Sequence, residues 1–172
     1  MVTITLVGVM AALALPRVFQ TYSAGKLNAA TDRLRAGLEE ALSVVDAKTA
    51  NGTPRFPSGR CSLRLGPEGW EAATGSADLP CLPEGKGSIN DGIGLASTPT
   101  LRQTFPSELT INSRDNSVRA SSDGMAVLSA SDSSLQRCLV LDPVLGTVRL
   151  GKYEGGQTGA LNLNDCVADA SL

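Results

Sequence analysis

The residues best able to do chemistry in this chain are four cysteines, Cys61, Cys81, Cys138 and Cys166, in a sequence that contains no histidine. A thiol can act as a nucleophile, bind a metal or form a disulfide. Without histidine, a Cys-His pair, a Ser-His-Asp triad and any zinc site with imidazole ligands are excluded within the chain. None of the cysteines forms a C-x-x-C pair, so neither a zinc ribbon nor a thioredoxin-like motif is supported. Two structural disulfides are the better reading, and they imply an oxidising compartment outside the cytoplasm. Three connectivities are open. The sequential one, 61–81 with 138–166, is preferred; it closes loops worth roughly 3 kcal/mol each in the chain-entropy model.

The other chemistry-bearing groups point to no reaction. Glu39 and Glu40 are adjacent; on a helix they diverge by about 100° and make no acid/base dyad. The glycine-rich run from Gly85 to Gly92 holds Lys86 and Ser88 but lacks the phosphate-loop spacing and a preceding apolar strand. Asn162, Asn164 and Asp165 could lend oxygens to Ca²⁺, yet without an EF-hand pattern they read as a polar turn before Cys166. Trp70, the single tryptophan, is expected to be buried against a helix. The chain therefore reads as a non-enzyme with no cofactor and no metal.

The elements that must position these residues follow from periodicity. Residues 2–15 carry no charge, and Pro16-Arg17 ends the run. These residues span only about 21 Å as a helix, short of a hydrocarbon core of about 30 Å. Leu27, Leu34, Leu38, Ala41 and Val45 then recur at helical spacing, while Asp32, Arg33, Arg35, Glu39 and Glu40 fall off that stripe. One helix of nearly 50 residues is expected, kinked at Pro16, apolar in its first third and amphipathic in its last. Asn51-Gly52-Thr53-Pro54 stops it.

Beyond it, strands are expected near 62–65, 108–112, 117–120, 125–130, 136–141 and 147–150. Turns fall at Asp115-Asn116, at Asp123-Gly124 and from Asp142-Pro143 to Gly146. Residues 66–106, rich in proline and glycine, read as irregular. The fold class is α+β, with a long N-terminal helix packed on an antiparallel sheet or small β-sandwich head. Three segments result: 1–24 as the apolar half of the helix, 25–50 as its amphipathic half, and 51–172 as a disulfide-stapled head. A net charge of −2 gives no global attraction to nucleic acid or anionic lipid.

Gly8-Val9-Met10-Ala11-Ala12-Leu13-Ala14-Leu15-Pro16 resembles the second half of the N-terminal helix of type IV pilins and pseudopilins. The resemblance implies a filament subunit whose partners are other pilin or pseudopilin subunits and the inner membrane. Val2, Ile4, Leu6, Val7, Val9, Ala11, Leu13 and Leu15 would then serve as membrane anchor and Pro16 as the helix kink. It places the head in the periplasm of a bacterium, or on an extracellular filament. It also places the family's processing signature upstream of Met1, which then reads as an internal methionine.

The segments 137–141 and 146–150 look like the last hairpin of the GspH/FimT group of minor pilins and pseudopilins. There a Gly-Arg-x-Arg motif contributes to DNA binding in some pilus members. This chain has Gly146-Thr147-Val148-Arg149, without the first arginine. Arg149 and Lys152, with Arg137 across the hairpin, are the candidate phosphate contacts. Pilins also often staple a C-terminal loop by a disulfide, as a 138–166 bond would. The reading is a minor pilin or pseudopilin of a type IV pilus or type II secretion filament. Its alternatives are a DNA- or surface-binding tip pilin and a membrane-tethered exported protein unrelated to filaments.

Overall fold

The computed structural model describes residues 2–45, 47–48, 51–73, 76–82, 88–89, 99–114, 117–130 and 134–169. The chain begins with one helix, α1 (Val2–Val44), which runs through Pro16 and through Ala24-Gly25 without interruption. It is shorter than expected. Past its end, Ala47 N–H donates to the Val44 carbonyl (3.0 Å) and Arg55 N–H returns to the Ala47 carbonyl (3.0 Å). Gly52, at φ 76°, makes this reversal, and Lys48 bridges to Pro54 where the helix was expected to continue. On the solvent side of α1, Arg35 Nε meets Glu39 Oε1 at 2.7 Å, four residues on. That hydrogen bond and the carboxylate's charge hold the guanidinium above its ordinary pKa.

The described strands form two antiparallel sheets, so the molecule is α+β. In the first sheet β1 (Arg60–Gly66) lies between β2 (Gly69–Glu71) and β4 (Leu109–Arg114), and β5 (Ser117–Ala120) follows β4. The second sheet has the order β3-β6-β7-β8-β9. These strands are β3 (Thr100–Gln103), β6 (Gly124–Ser129), β7 (Gln136–Asp142), β8 (Thr147–Tyr153) and β9 (Cys166–Ala168). Each of the six expected strands is present, with ends shifted by at most a few residues. Residues 66–106 are less irregular than their composition suggests, because β2 and β3 lie within them.

Strand alternation decides what each face meets. In the first sheet Cys61, Ile111 and Ala120 are direct cross-strand partners and all are buried. In the second, Ala126, Leu128, Leu139 and Leu141 face one way, into a core shared with Leu27, Ala30, Leu34, Leu38 and Ala41 of α1 and with Val45 just past its end. Met125, Val127, Cys138, Val140 and Tyr153 face the other way and pack with Leu161 of the C-terminal segment. The β7–β8 turn closes as its residues demand. Asp142 Oδ1 accepts from the N–H groups of Val144 and Leu145 (3.0 Å each), and Gly146 takes φ 61°.

Candidate functional site

The region where the chain's elements are tied together most specifically is the joint between α1 and the sheets, with the C-terminal segment stapled beside it. Trp70, on β2, is 2% exposed. Its indole Nε1 donates to the main-chain carbonyl of Leu34 at 2.7 Å, and its ring meets Phe105 edge-on with centroids 5.2 Å apart. The head thus grips the helix backbone itself, within its C-terminal third. The burial expected for Trp70 is observed.

A second joint involves Arg137. It shares its side of β7 with Leu139 and Leu141, the side that faces α1. Its Nε donates to Asn28 Oδ1 of the helix (2.8 Å), and Nη1 pairs with the Asp169 carboxylate. One guanidinium therefore connects helix, sheet and C-terminal segment. It is 6% exposed, and this arrangement differs from the expected phosphate contact: Arg137 is turned inward, onto partners of its own chain.

The other two candidate phosphate contacts do not join it. Lys152 pairs in register with Arg137, on the same side of the sheet, and lies exposed with Nζ 3.4 Å from Glu154 Oε1. Arg149 is also exposed but sits three residues earlier on β8 and projects from the opposite face. The hairpin therefore does not gather Arg137, Arg149 and Lys152 into one basic surface.

Both disulfides are present in the sequential pairing. Cys61–Cys81 joins β1 to the segment running beside it, and Cys138–Cys166 joins β7 to β9 across β8. The close passage of β9 requires Gly151: a Cβ there would lie 2.3 Å from the Val167 carbonyl oxygen and 3.3 Å from Cys138 Sγ. Polar groups secure the rest of the tail. Arg102 Nη2 donates to Gln136 Oε1 (2.9 Å) and to the Gly156 carbonyl (2.8 Å), while Gln136 Nε2 donates to the Gly155 carbonyl (3.1 Å). Asn162 Oδ1 accepts from the Asn164 N–H at 3.0 Å, capping the short turn Leu163–Asp165; these residues build a turn, as expected.

Asn28, Arg102, Gln136 and Asp169 were missed by the sequence reading. The signal for Arg137 was its parity with Leu139 and Leu141. The other four sit in polar contexts that mark no particular partner.

The expected anchor residues Val2, Ile4, Leu6, Val7, Val9, Ala11, Leu13 and Leu15 lie on the helical backbone of α1; their side chains are outside the described structure, as is that of Pro16. Asp115-Asn116 and most of the run 85–92 also lie outside the described residues. Among the described residues, no helix is long and apolar enough to cross a membrane, so the membrane anchor that the resemblance implies is not found as a spanning helix. The uncharged run is simply too short. No family model, no curated protein and no solved structure matches the chain.

Proposed function

We propose that this chain is a structural subunit of a type IV filament, a minor pilin or pseudopilin, that works by helix packing and assembly. What supports the reading is the contrast along the sequence of α1 between an uncharged run, residues 2–15, and the buried stripe that follows it. The helix is 43 residues long, about 65 Å at 1.5 Å per residue. Its described buried positions begin at Leu27 and continue at helical spacing to Leu42, with Val45 just past its end. That half is read as the amphipathic part, and it docks on the two antiparallel sheets. The uncharged part, 2–15, serves a different environment: lateral contact with the helices of neighbouring subunits in a filament core, with partial insertion at the inner membrane before assembly. An apolar helix of this length suits helix–helix packing better than spanning.

The head supports the same reading. Both disulfides fit an oxidising location, and the Cys138–Cys166 bond holds the C-terminal segment to the sheet. A rigid, stapled head on a helical stem can be displayed from a filament. The DNA-binding alternative draws no support from the β7–β8 hairpin, where Arg137 is taken up internally.

The test is fractionation of filaments from the native cell with Val9→Arg in the full-length chain. Loss of the variant from the filament fraction, with native Trp70 fluorescence, is expected. Unchanged fractionation of Val9→Arg, or absence of the unsubstituted chain from filaments, contradicts the proposal.

A further inference from the structure

We propose that the outer face of the first sheet carries a binding site for an oxyanion, a phosphate, sulfate or carboxylate group, held between Arg60 and Arg119 over the side-chain amide of Asn112. The inference does not rest on the filament reading. Its basis is a register. Arg60 pairs with Asn112, and Asn112 pairs with Arg119, so the three occupy one cross-strand row on β1, β4 and β5. The neighbouring row, Cys61, Ile111 and Ala120, is buried in the core. Alternation therefore sends the Arg60–Asn112–Arg119 row outward, with its three side chains on the same face.

Strands about 4.8 Å apart put the two arginine backbones roughly 10 Å from each other, a gap two long side chains can close from either side. An open cavity of about 650 Å³ lies here, lined by all three residues and by Ser58, within the size range of ligand sites. Its lining includes no acidic residue. Asp78, at the far edge of β1, reaches Arg60 at only 3.6 Å, and Arg119 has no carboxylate partner among the described residues. Two guanidinium forks and one amide NH₂ form a donor-rich set that matches an oxyanion. A bound anion also offsets the repulsion of two like charges on one row. The row is separate from Arg149 and Lys152, which belong to the second sheet.

The test is an NMR titration of the full-length, ¹⁵N-labelled chain in detergent micelles with inorganic phosphate at constant ionic strength, chloride serving as control. Saturable shifts at the Nε–H groups of Arg60 and Arg119 are expected. Arg119→Gln, an exposed strand position, should weaken phosphate binding about tenfold, and Arg149→Gln should leave it unchanged. Non-saturating shifts of equal size at Arg149, or affinity unaltered in Arg119→Gln, would overturn the proposal. Glucuronate and phosphatidylglycerol vesicles distinguish the source of the anion. Competition by glucuronate without vesicle binding assigns a soluble ligand, and co-sedimentation lost in Arg119→Gln assigns a lipid headgroup.

Discussion

The indole Nε1 of Trp70 donates a 2.7 Å hydrogen bond to the main-chain carbonyl of Leu34, so the β-rich head is fastened to α1 through the helix backbone as well as through its side chains. Helix carbonyls normally serve only their own ladder, and a second donor from another element ties the two rigidly in register. Trp70→Phe keeps an aromatic ring beside Phe105 but removes the donor and part of the buried surface. A loss of about 2 kcal/mol is expected, read as a lowered denaturant midpoint with an unchanged slope. Because Trp70 is the only tryptophan, intrinsic fluorescence of the unsubstituted chain reports this joint directly and should shift to the red on unfolding.

Arg137 makes the second joint, to Asn28 on one side and Asp169 on the other. Arg137→Ala leaves a partly buried amide and a partly buried carboxylate without their donor, and a cost of about 2–3 kcal/mol is expected. Arg137→Lys should recover little, since an ammonium cannot serve both partners in the planar fork arrangement. Coupling shows in a double-mutant cycle: Asn28→Ala in the Arg137→Ala background should cost less than Asn28→Ala alone, by about 1 kcal/mol. Full additivity would show that the contact carries no energy.

The disulfide between Cys138 and Cys166, 28 residues apart, holds the tail against a sheet that is otherwise complete. Replacing both cysteines by serine should cost roughly 3 kcal/mol. The effect should be local first. Hydrogen exchange at β9 and in residues 154–165 should rise well before that of β6 and β7. Equal rises throughout the second sheet would mean that the tail is part of the folding core.

Two glycines give opposite expectations for one substitution. Gly25 lies in the helix interior, exposed, with nothing within 4 Å of an added Cβ; Gly25→Ala should stabilise by about 0.5–1 kcal/mol. Gly151 faces the Val167 carbonyl across the β8–β9 pair. Gly151→Ala must displace β9 and should destabilise by about 1–3 kcal/mol. Thermal melting of the two variants against the parent checks both signs.

Periodicity carried the sequence reading furthest where burial is one-sided. Leu27, Leu34, Leu38, Ala41 and Val45 repeat at helical spacing, and all five are buried. Strands with apolar alternation or apolar runs, such as β6 and β7, were legible for the same reason. The strands that escaped have little hydrophobic signal of their own. β3 reads Thr-Leu-Arg-Gln at a sheet edge, and β2 and β9 hold three residues each. Their pairing is supplied by neighbours distant in sequence, and no local window contains it. Arg137 was misread because a charge in a strand next to a hairpin suggests solvent. The deciding fact was Asn28, more than a hundred residues away, waiting on the facing helix.

The central claim, that the uncharged run of α1 packs among the helices of other filament subunits, is tested most directly by site-specific photocrosslinking in the native membrane. A benzophenone amino acid at Val9 of the full-length chain should give crosslinks to the N-terminal helices of pilin-type subunits, mapped by mass spectrometry. The same probe at Arg35, on the solvent side of the head-bound half, should give none to those helices. Crosslinks from Val9 to lipid alone, with no subunit helix captured, would contradict the assignment.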